Sequence, residues 1–350
     1  MRAVYYEHFG QLAELRDVPD PDCPAAGVII QVEATGLCRS DWHAWMGHDP
    51  EVRLPHVPGH EFAGLISEIG PRVQGWRTGD RVTVPFGCAC GQCATCRRGE
   101  QQVCERQFQP GFSHWGSFAE LVAIDHANVN LVRVPEEMAL ETAASLGCRF
   151  STAYRAVVHH ARVRAGDWVV VHGCGGVGLS AVMIAAARGA QVIAVDVSAA
   201  ALELALAVGA VRAINATQDD VVASVRELTS GGAEVSIDAL GSMLTCQNSM
   251  RSLRARGRHI QIGLMLAADS LPPIPMATVI AQELQILGSH GMAAREYPAM
   301  LSEILAGTLK PQHLIRRRIA LAGVPAALGS LDQQPADGIT IIEPARGRLR

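Results

Sequence analysis

Three features that this 350-residue sequence lacks limit its possible functions. It has no excess of positive charge: the net charge is -4, whereas a protein that binds nucleic acid usually presents a basic face. It has no uncharged apolar run that is long enough to span a membrane. Residues 1–8 lack the apolar core of a signal peptide. We therefore expect a cytoplasmic protein that binds neither nucleic acid nor a membrane.

The composition is that of an ordinary folded protein. Hydrophobic residues make up 49% of the chain and charged residues 18%, which excludes a disordered chain. A chain of this length suits two domains better than one small core. In a reducing compartment, the 10 cysteines indicate metal binding or catalysis before disulfide bonds.

Four of the cysteines crowd into one short segment of the chain. They are Cys90, Cys93, Cys96 and Cys104. Thiolates at this spacing can surround one tetrahedral zinc ion and leave no coordination position open, which makes the site structural. The alternatives are four thiols without a metal and a zinc knuckle that binds nucleic acid. The knuckle is disfavoured because the flanking basic residues are few: Arg97, Arg98 and Arg106.

A second set of possible metal ligands lies nearer the N-terminus. Cys38 and His60 supply a thiolate and an imidazole, the pair of ligands that zinc prefers. Asp41 could orient the ligating imidazole through a hydrogen bond. Ser40 and His43 add a hydroxyl and an imidazole that could pass a proton from the metal to solvent. Each of these residues, taken alone, is more often a buried or turn residue than a ligand.

A glycine-rich motif in the second half of the chain predicts a dinucleotide site. A predicted strand, Trp168 to His172, runs into Gly173-Cys174-Gly175-Gly176-Val177-Gly178, and a helix is predicted from about Leu179. The glycines allow a tight turn and let a pyrophosphate approach the helix N-terminus. Asp196 ends the next strand, where it would accept a hydrogen bond from a ribose hydroxyl and repel a 2′-phosphate. This arrangement favours NAD over NADP, and the alternative is an ordinary glycine turn.

The pattern of apolar runs changes along the chain. From residue 168 to residue 288, strand-like runs alternate with helical segments, and six strands with helices between them predict a doubly wound parallel sheet of the α/β class. The first half shows short strands separated by turns, which predicts a mostly β domain. We expect the last predicted strand, Ile339 to Ile342, to return to that first domain.

Together, the motifs resemble those of the zinc alcohol dehydrogenases in the medium-chain dehydrogenase/reductase family. The resemblance covers nearly the whole chain and rests on G-x-C-x-S-D-x-H at 36–43, G-H-E at 59–61, the four cysteines, G-S-F-A-E at 116–120 and the glycine motif. It implies a Rossmann domain inserted in a mostly β, GroES-like catalytic domain. The implied boundaries are 1–149 for the catalytic domain with a zinc lobe at about 88–106, 150–291 for the Rossmann domain, and 292–350 for the return.

The resemblance also implies a catalytic zinc site. Cys38, His60 and Cys148 match the family's ligands, and Glu61 matches a carboxylate that can bind the metal transiently while water and substrate exchange. Polyol dehydrogenases of this family usually lack the third cysteine ligand. The presence of Cys148 therefore favours a simple alcohol or aldehyde as substrate.

Further residues match positions that handle the proton and the cofactor. Ser40 and His43 match the family's proton relay, and Arg39 matches a basic residue at the cofactor pyrophosphate. The expected cofactor contacts are Gly173, Gly175, Gly176, Val177, Gly178, Asp196, Ala239 and Gly263. Many relatives carry an arginine after the glycine at Gly338, where it helps to hold the pyrophosphate, but this chain has Ile339.

The substrate pocket is the least defined part of the prediction. Phe86 matches a substrate-lining position, and Trp115 is a second candidate, although aromatic residues near a motif are as often packing residues. We expect NAD, two zinc ions per chain, a small alcohol or its aldehyde or ketone as substrate, and a homodimer or homotetramer. The alternatives are a metal-binding scaffold without turnover, a carbonyl reductase that works mainly in the reductive direction, and formaldehyde or threonine oxidation.

Overall fold

The computed structural model describes residues 1–333 and 338–346. Its strands are β1 (Arg2–Tyr5), β2 (Glu14–Asp17), β3 (Val28–Leu37), β4 (Phe62–Ile69), β5 (Arg81–Thr83), β6 (Leu121–Ile124), β7 (Val132–Arg133), β8 (Trp168–His172), β9 (Gln191–Asp196), β10 (Arg212–Asn215), β11 (Ala233–Asp238), β12 (Leu253–Gln261), β13 (Gln285–Gly288), β14 (Ile315–Ala320) and β15 (Ile339–Glu343). Its α-helices are α1 (Arg39–Trp45), α2 (Ala94–Arg97), α3 (Ala127–Asn130), α4 (Leu140–Ala144), α5 (Ser151–Arg155), α6 (Gly176–Ala187), α7 (Ala199–Ala207), α8 (Val221–Leu228), α9 (Met243–Arg251), α10 (Met276–Ala281), α11 (Tyr297–Leu305) and α12 (Val324–Gly329).

The first large sheet is mixed and has seven strands in the order β14-β15-β3-β4-β5-β7, with β6 also paired to β3. The pairs β3–β4, β3–β6, β4–β5 and β5–β7 are antiparallel. Alternate residues of β3, Val28, Ile30 and Val32, share one face of the sheet and pack with Phe62 and Ile66 in a buried cluster. This sheet confirms the mostly β, GroES-like part of the predicted fold.

The end of the described chain returns to this first sheet. β15 pairs antiparallel with β3, between Thr340 and Leu37 among others, which confirms the predicted return. β14 pairs parallel with β15 and was not predicted. Its three central residues are exposed arginines on an edge strand, so the sequence shows no apolar alternation there.

The second large sheet is parallel and has six strands in the order β10-β9-β8-β11-β12-β13. Four of the five residues of β8 are fully buried, as expected for a strand covered on both faces. Strand order reverses between β8 and β11, and ligands of such sheets bind in the crevice outside the carboxyl ends of the strands at this point. The sheet confirms the predicted doubly wound Rossmann arrangement.

A helical segment joins the two sheets. It consists of α4, a π-helical stretch at Leu146–Phe150, α5 and a second π-helical stretch at Ala156–His160. Its first part contacts β3 and β4 of the mixed sheet, and α5 packs on α6 beside the parallel sheet. π-Helical turns are frequent at functional sites because they change the direction of a side chain within a helix. Cys148 lies in the first of them.

Within residues 1–333 and 338–346, no helix has the length and apolar character needed to cross a membrane.

Candidate metal centres and dinucleotide site

The four clustered cysteines converge on one point. The ligand atoms of Cys90, Cys93, Cys96 and Cys104 all lie within 4.8 Å of one another. The sulfur of Cys104 is 3.7 Å from that of Cys93 and 3.5 Å from that of Cys90. A tetrahedral zinc ion with bonds of about 2.3 Å to sulfur requires sulfur separations of about 3.8 Å. The four thiols therefore fit a zinc ion.

Backbone N–H groups point at these sulfurs. The N–H of Gln92 donates to Cys90 at 3.4 Å, that of Cys96 to Cys93 at 3.4 Å, and that of Arg106 to Cys104 at 3.3 Å. Burial raises the pKa of Cys90, but hydrogen bonds from the backbone N–H groups of Gln92 and Cys93 and from the thiols of Cys104 and Cys93 outweigh it and lower the pKa to about 6. The thiolate is the form of cysteine that binds a metal, so the loop is prepared for a cation.

A second cluster forms where three chain segments meet. The ligand atoms of Cys38, His60, Glu61 and Cys148 also lie within 4.8 Å of one another. Cys38 is the N-cap of α1 and follows β3 directly, whereas His60 and Glu61 immediately precede β4. Cys148 comes from the π-helical stretch of the joining segment. The pairing of β3 with β4 and the packing of α4 against both strands bring the three segments together.

Asp41 fixes the orientation of the His60 ring. Its Oδ1 accepts from Nδ1 of His60 at 2.8 Å and from the N–H of Gly59 at 3.2 Å, and its Oδ2 accepts from the N–H of Cys38 at 2.9 Å. Both side chains are fully buried. Nε2 of His60 is buried without a hydrogen-bond partner in the described part of the chain, and leaving such an atom unpaired costs about 1–3 kcal/mol. A metal ion at Nε2 would supply the missing partner.

The electrostatics of this second cluster favour a cation. Burial lowers the pKa of His60, but the carboxylate of Asp41 and the thiolate of Cys38 outweigh burial and raise it well above its usual range. A hydrogen bond from Cys148 lowers the pKa of Cys38 well below normal, and the same bond raises that of Cys148. A metal ion at this point would bind both sulfurs as thiolates and release their protons.

Glu61 is held by a residue that the sequence motifs did not reveal. Its Oε1 accepts from the backbone N–H of Arg149 at 2.8 Å, and the Arg149 side chain donates to both carboxylate oxygens, with Nε at 3.0 Å and 2.9 Å and with Nη2. The guanidinium also donates to the carbonyl of Leu37 at 3.0 Å. A Cβ on Gly176 would lie 2.4 Å from Cδ of Arg149, so the dinucleotide loop rests on this arginine. A carboxylate oxygen of Glu61 lies within 4.8 Å of the other three ligand atoms while Glu61 is bound to Arg149.

The two residues predicted to carry a proton lie on α1. Ser40 Oγ is 3.8 Å from the sulfur of Cys38, and His43 is three residues further along the same helix face. Nδ1 of His43 is 3.1 Å from Nδ1 of His48, which was not predicted to take part. Burial lowers the pKa of His43 to about 4, and the charges of His48 and Arg39 act in the same direction.

Aromatic rings surround the second cluster. Phe86 meets His60 edge to face with ring centroids 6.3 Å apart, and Phe112 lies 4.9 Å from the same ring. The ring of His290 also meets Phe86 edge to face, with ring centroids 5.1 Å apart. The sequence motifs gave no signal for Phe112 or His290, because both reach the cluster from distant loops.

Trp115 packs elsewhere. Its ring meets Tyr5 edge to face at 5.9 Å, and its indole N–H donates to the carbonyl of Pro55 at 3.2 Å. Together with Met1 and Val18 it covers a small cluster at the N-terminal strands. The assignment of Trp115 to the substrate pocket stays a prediction.

The glycine motif forms a tight turn at the carboxyl end of β8. Gly173 has φ +88°, and a Cβ on Gly178 would lie only 1.8 Å from the carbonyl oxygen of Gly173. Gly175 is the N-cap of α6, which begins at Gly176, earlier than predicted. Val177 lies in the first helical turn, where unpaired backbone N–H groups and the helix dipole attract a phosphate.

The neighbouring strand ends complete the crevice. Asp196 accepts from the N–H groups of Cys174 at 2.6 Å and Ser198 at 2.8 Å, so it lies beside the glycine turn. The backbone N–H of Ala239 donates to the backbone carbonyl of His172. A Cβ on Gly263 would lie 2.3 Å from the backbone nitrogen of Gly241, in the loop after β11. The guanidinium of Arg39 lies 5.4 Å from the Trp42 ring, and Ile339 is buried in a core cluster.

The fold and these clusters define a class: a zinc-binding dehydrogenase with a Rossmann nucleotide domain. Family models agree, since residues 24–136 match the alcohol dehydrogenase GroES-like domain and residues 176–306 match the zinc-binding dehydrogenase.

Individual proteins are similar over almost the full length. The NAD-dependent alcohol dehydrogenase of Sulfurisphaera tokodaii is 34% identical over 98% of this chain and 100% of its own. An alcohol dehydrogenase of Geobacillus stearothermophilus is 33% identical over 83% of this chain and 84% of its own. The solved structure of alcohol dehydrogenase TADH from Thermus sp. ATN1 superposes with a TM-score of 0.90 at 31% identity, covering 98% of this chain and 99% of the other. This chain belongs to the zinc alcohol dehydrogenases of the medium-chain dehydrogenase/reductase family.

Proposed function

We propose that the protein interconverts a primary or secondary alcohol and its aldehyde or ketone by hydride transfer with NAD(H). The observation that carries the proposal is a cluster of two thiols and one imidazole whose neighbouring carboxylate, Glu61, is tied to Arg149. Three protein ligands leave one position of a tetrahedral zinc ion open for a substrate oxygen, as in catalytic zinc sites. The four-cysteine cluster leaves no such position.

The residues proposed to hold the cofactors follow from the geometry. Cys38, His60 and Cys148 would hold the catalytic zinc, and Cys90, Cys93, Cys96 and Cys104 the structural zinc. When bound, the catalytic ion supplies a Lewis acid that lowers the pKa of an alcohol and polarises a carbonyl. When bound in the crevice at β8, NAD supplies the hydride acceptor.

The side chains around the cluster perform the remaining tasks. Asp41 keeps the His60 ring in the tautomer that frees Nε2. Ser40 takes the proton that the alcohol loses, and His43 on the same helix carries it outward. Phe86 and Phe112, which pack on the His60 ring, limit the access of water to the reacting atoms.

Asp196 supports a preference for NAD over NADP. Its carboxylate already bonds the glycine turn through Cys174, so a 2′-phosphate at this point would meet a fixed negative charge. Comparing kcat/KM for NAD and NADP tests this preference, and equal values for the two cofactors would contradict it.

The decisive experiment removes one ligand of the catalytic cluster. Cys38→Ser should abolish alcohol oxidation and lower the zinc content from two ions per chain to one, because the four-cysteine cluster stays intact. Cys23→Ser, which replaces a partly exposed cysteine outside both clusters, is the matched control and should keep both ions and full activity. Full activity in Cys38→Ser would contradict the proposal. A panel of alcohols from ethanol to benzyl alcohol, assayed with NAD, would define the substrate.

The domain boundaries at 149/150 and 291/292, a cytoplasmic location and a homo-oligomer remain part of the proposal. The edge strand β13 and the adjacent α10 support association through the Rossmann sheet, because Ile280 and Ile286 expose 73% and 38% of their surface. Light scattering of the purified protein would give the oligomeric state, and a monomer would contradict this part.

A further inference from the structure

His48 lies just beyond the motif that contains Ser40 and His43, and the backbone brings it back onto α1. Gly47 has φ +78°, a left-handed conformation that favours glycine and reverses the chain after the helix. The N–H of His48 then donates to the carbonyl of His43 at 2.9 Å. This turn places Nδ1 of His48 3.1 Å from Nδ1 of His43, within hydrogen-bond distance.

Trp42 holds both imidazoles in place. Its ring meets His43 edge to face with centroids 5.0 Å apart and His48 at 5.7 Å, and Arg39 covers the same indole at 5.4 Å. Of the two imidazoles, His43 is partly buried and His48 is exposed. The pair therefore runs from the partly buried helix that carries Ser40 to open solvent.

We propose that His48 is the last protein group of the proton relay and delivers the proton to water. The inference rests on the proposed function, which releases one proton for every hydride transferred from alcohol to NAD. The proton reaches His43 from the side of Ser40, and His43 gives up a proton from Nδ1 to Nδ1 of His48. His48 then loses a proton to solvent, so each ring is neutral again after one turnover. In the reductive direction the proton moves the opposite way.

The environment of His43 explains why a second imidazole is useful. The groups whose charges act on His43 are His48, Arg39 and Cys38, and burial contributes most to lowering its pKa to about 4. A group with such a pKa holds a proton only briefly near neutral pH, so transfer depends on an acceptor that is already hydrogen-bonded. An exposed imidazole in contact with water meets this requirement.

The test compares two variants under different buffer conditions. His48→Gln keeps an amide that can hydrogen-bond to His43 but cannot accept and release a proton, and His48→Ala leaves space for free imidazole. We expect kcat for alcohol oxidation in dilute buffer to fall about tenfold to a hundredfold in both variants, with KM for NAD unchanged. The solvent deuterium isotope effect should rise, and added imidazole should restore most of the activity of His48→Ala. His313→Ala, another exposed histidine, is the control and should behave as the native protein.

Three results would overturn the inference. The first is native kcat in both variants, and the second is a loss in His48→Ala that free imidazole does not restore. The third is full activity in His48→Gln, which would show that the hydrogen bond to His43 matters and not the transfer. If the unaltered protein oxidises no alcohol, the proposed function itself fails, and this outcome is distinct from the other three.

Discussion

Replacing Arg149 by methionine should strongly destabilise the protein, because the change leaves Glu61 charged and almost without partners in the interior. Glu61 is fully buried and Arg149 is 5% exposed. In the native chain both carboxylate oxygens of Glu61 accept from the guanidinium, whereas the variant keeps only the backbone N–H of residue 149 at 2.8 Å. Removing one partner of a buried ion pair costs about 3–5 kcal/mol, and we expect a loss of this size in the free energy of unfolding.

Urea denaturation of the zinc-free protein measures this loss, because a zinc ion beside Glu61 would replace Arg149 as its partner. Glu61→Gln and the double variant complete a double-mutant cycle, in which the double variant should be more stable than Arg149→Met alone. The deficit should also depend on pH. Burial raises the pKa of Glu61 even though Arg149 opposes this, so without Arg149 the folded protein binds the proton still more tightly than the unfolded chain does. Stability then falls as pH rises, and the deficit of Arg149→Met should shrink toward acidic pH.

A change of less than about 0.5 kcal/mol in Arg149→Met, the range of ordinary surface substitutions, would refute this reasoning. So would a deficit that stays constant with pH, because an unpaired carboxylate must respond to protonation.

Other substitutions test the remaining parts of the site. Cys93→Ser should reduce the zinc content from two ions per chain to one and lower the midpoint of thermal unfolding, while the cluster that contains His60 keeps its metal. An unchanged zinc content would contradict a structural ion at the four cysteines. Asp41→Asn should weaken zinc binding about 10–100-fold in a chelator competition, since His60 loses the carboxylate that orients it, and native affinity would argue against that role. Gly178→Ala should raise the Kd for NADH at least about tenfold by fluorescence titration, because the new Cβ would meet Gly173, and unaltered binding would show that the loop can adapt.

The sequence predicted best those features that depend on neighbours in the chain. The four cysteines lie within one short segment, so their spacing alone indicated a common centre that the structure forms. The alternation of strands and helices after Trp168 predicted the parallel sheet, since each βα unit is a local pattern. The last predicted strand had no place in that alternation of strands and helices, so we expected it to return to the first domain, where it pairs with β3 as β15.

Some of the features that sequence reasoning missed depend on contacts between segments that are distant in the chain. Others lack the apolar alternation that marks a strand in a sequence. Arg149 and Glu61 are 88 positions apart in the chain. The residues around Cys148 showed no pattern that indicated a contact between the Arg149 side chain and Glu61. β14 was missed because its exposed arginines erase the alternation that marks a strand. The packing of Trp115 against Tyr5 is a further contact between distant segments that the sequence did not predict.

The position of β15 has a consequence for biosynthesis. It lies between β14 and the C-terminal end of β3, which leads directly into Cys38, so one edge of residues 35–37 stays uncovered until the ribosome has made residues 339–343. An uncovered strand edge can pair with the wrong strand. In the nascent chain this edge stays uncovered while the whole nucleotide-binding unit is synthesised. The four-cysteine loop, whose ligands lie close together in sequence, can capture its ion early. The segment that leads into Cys38 gains its last neighbour only when β15 has been made.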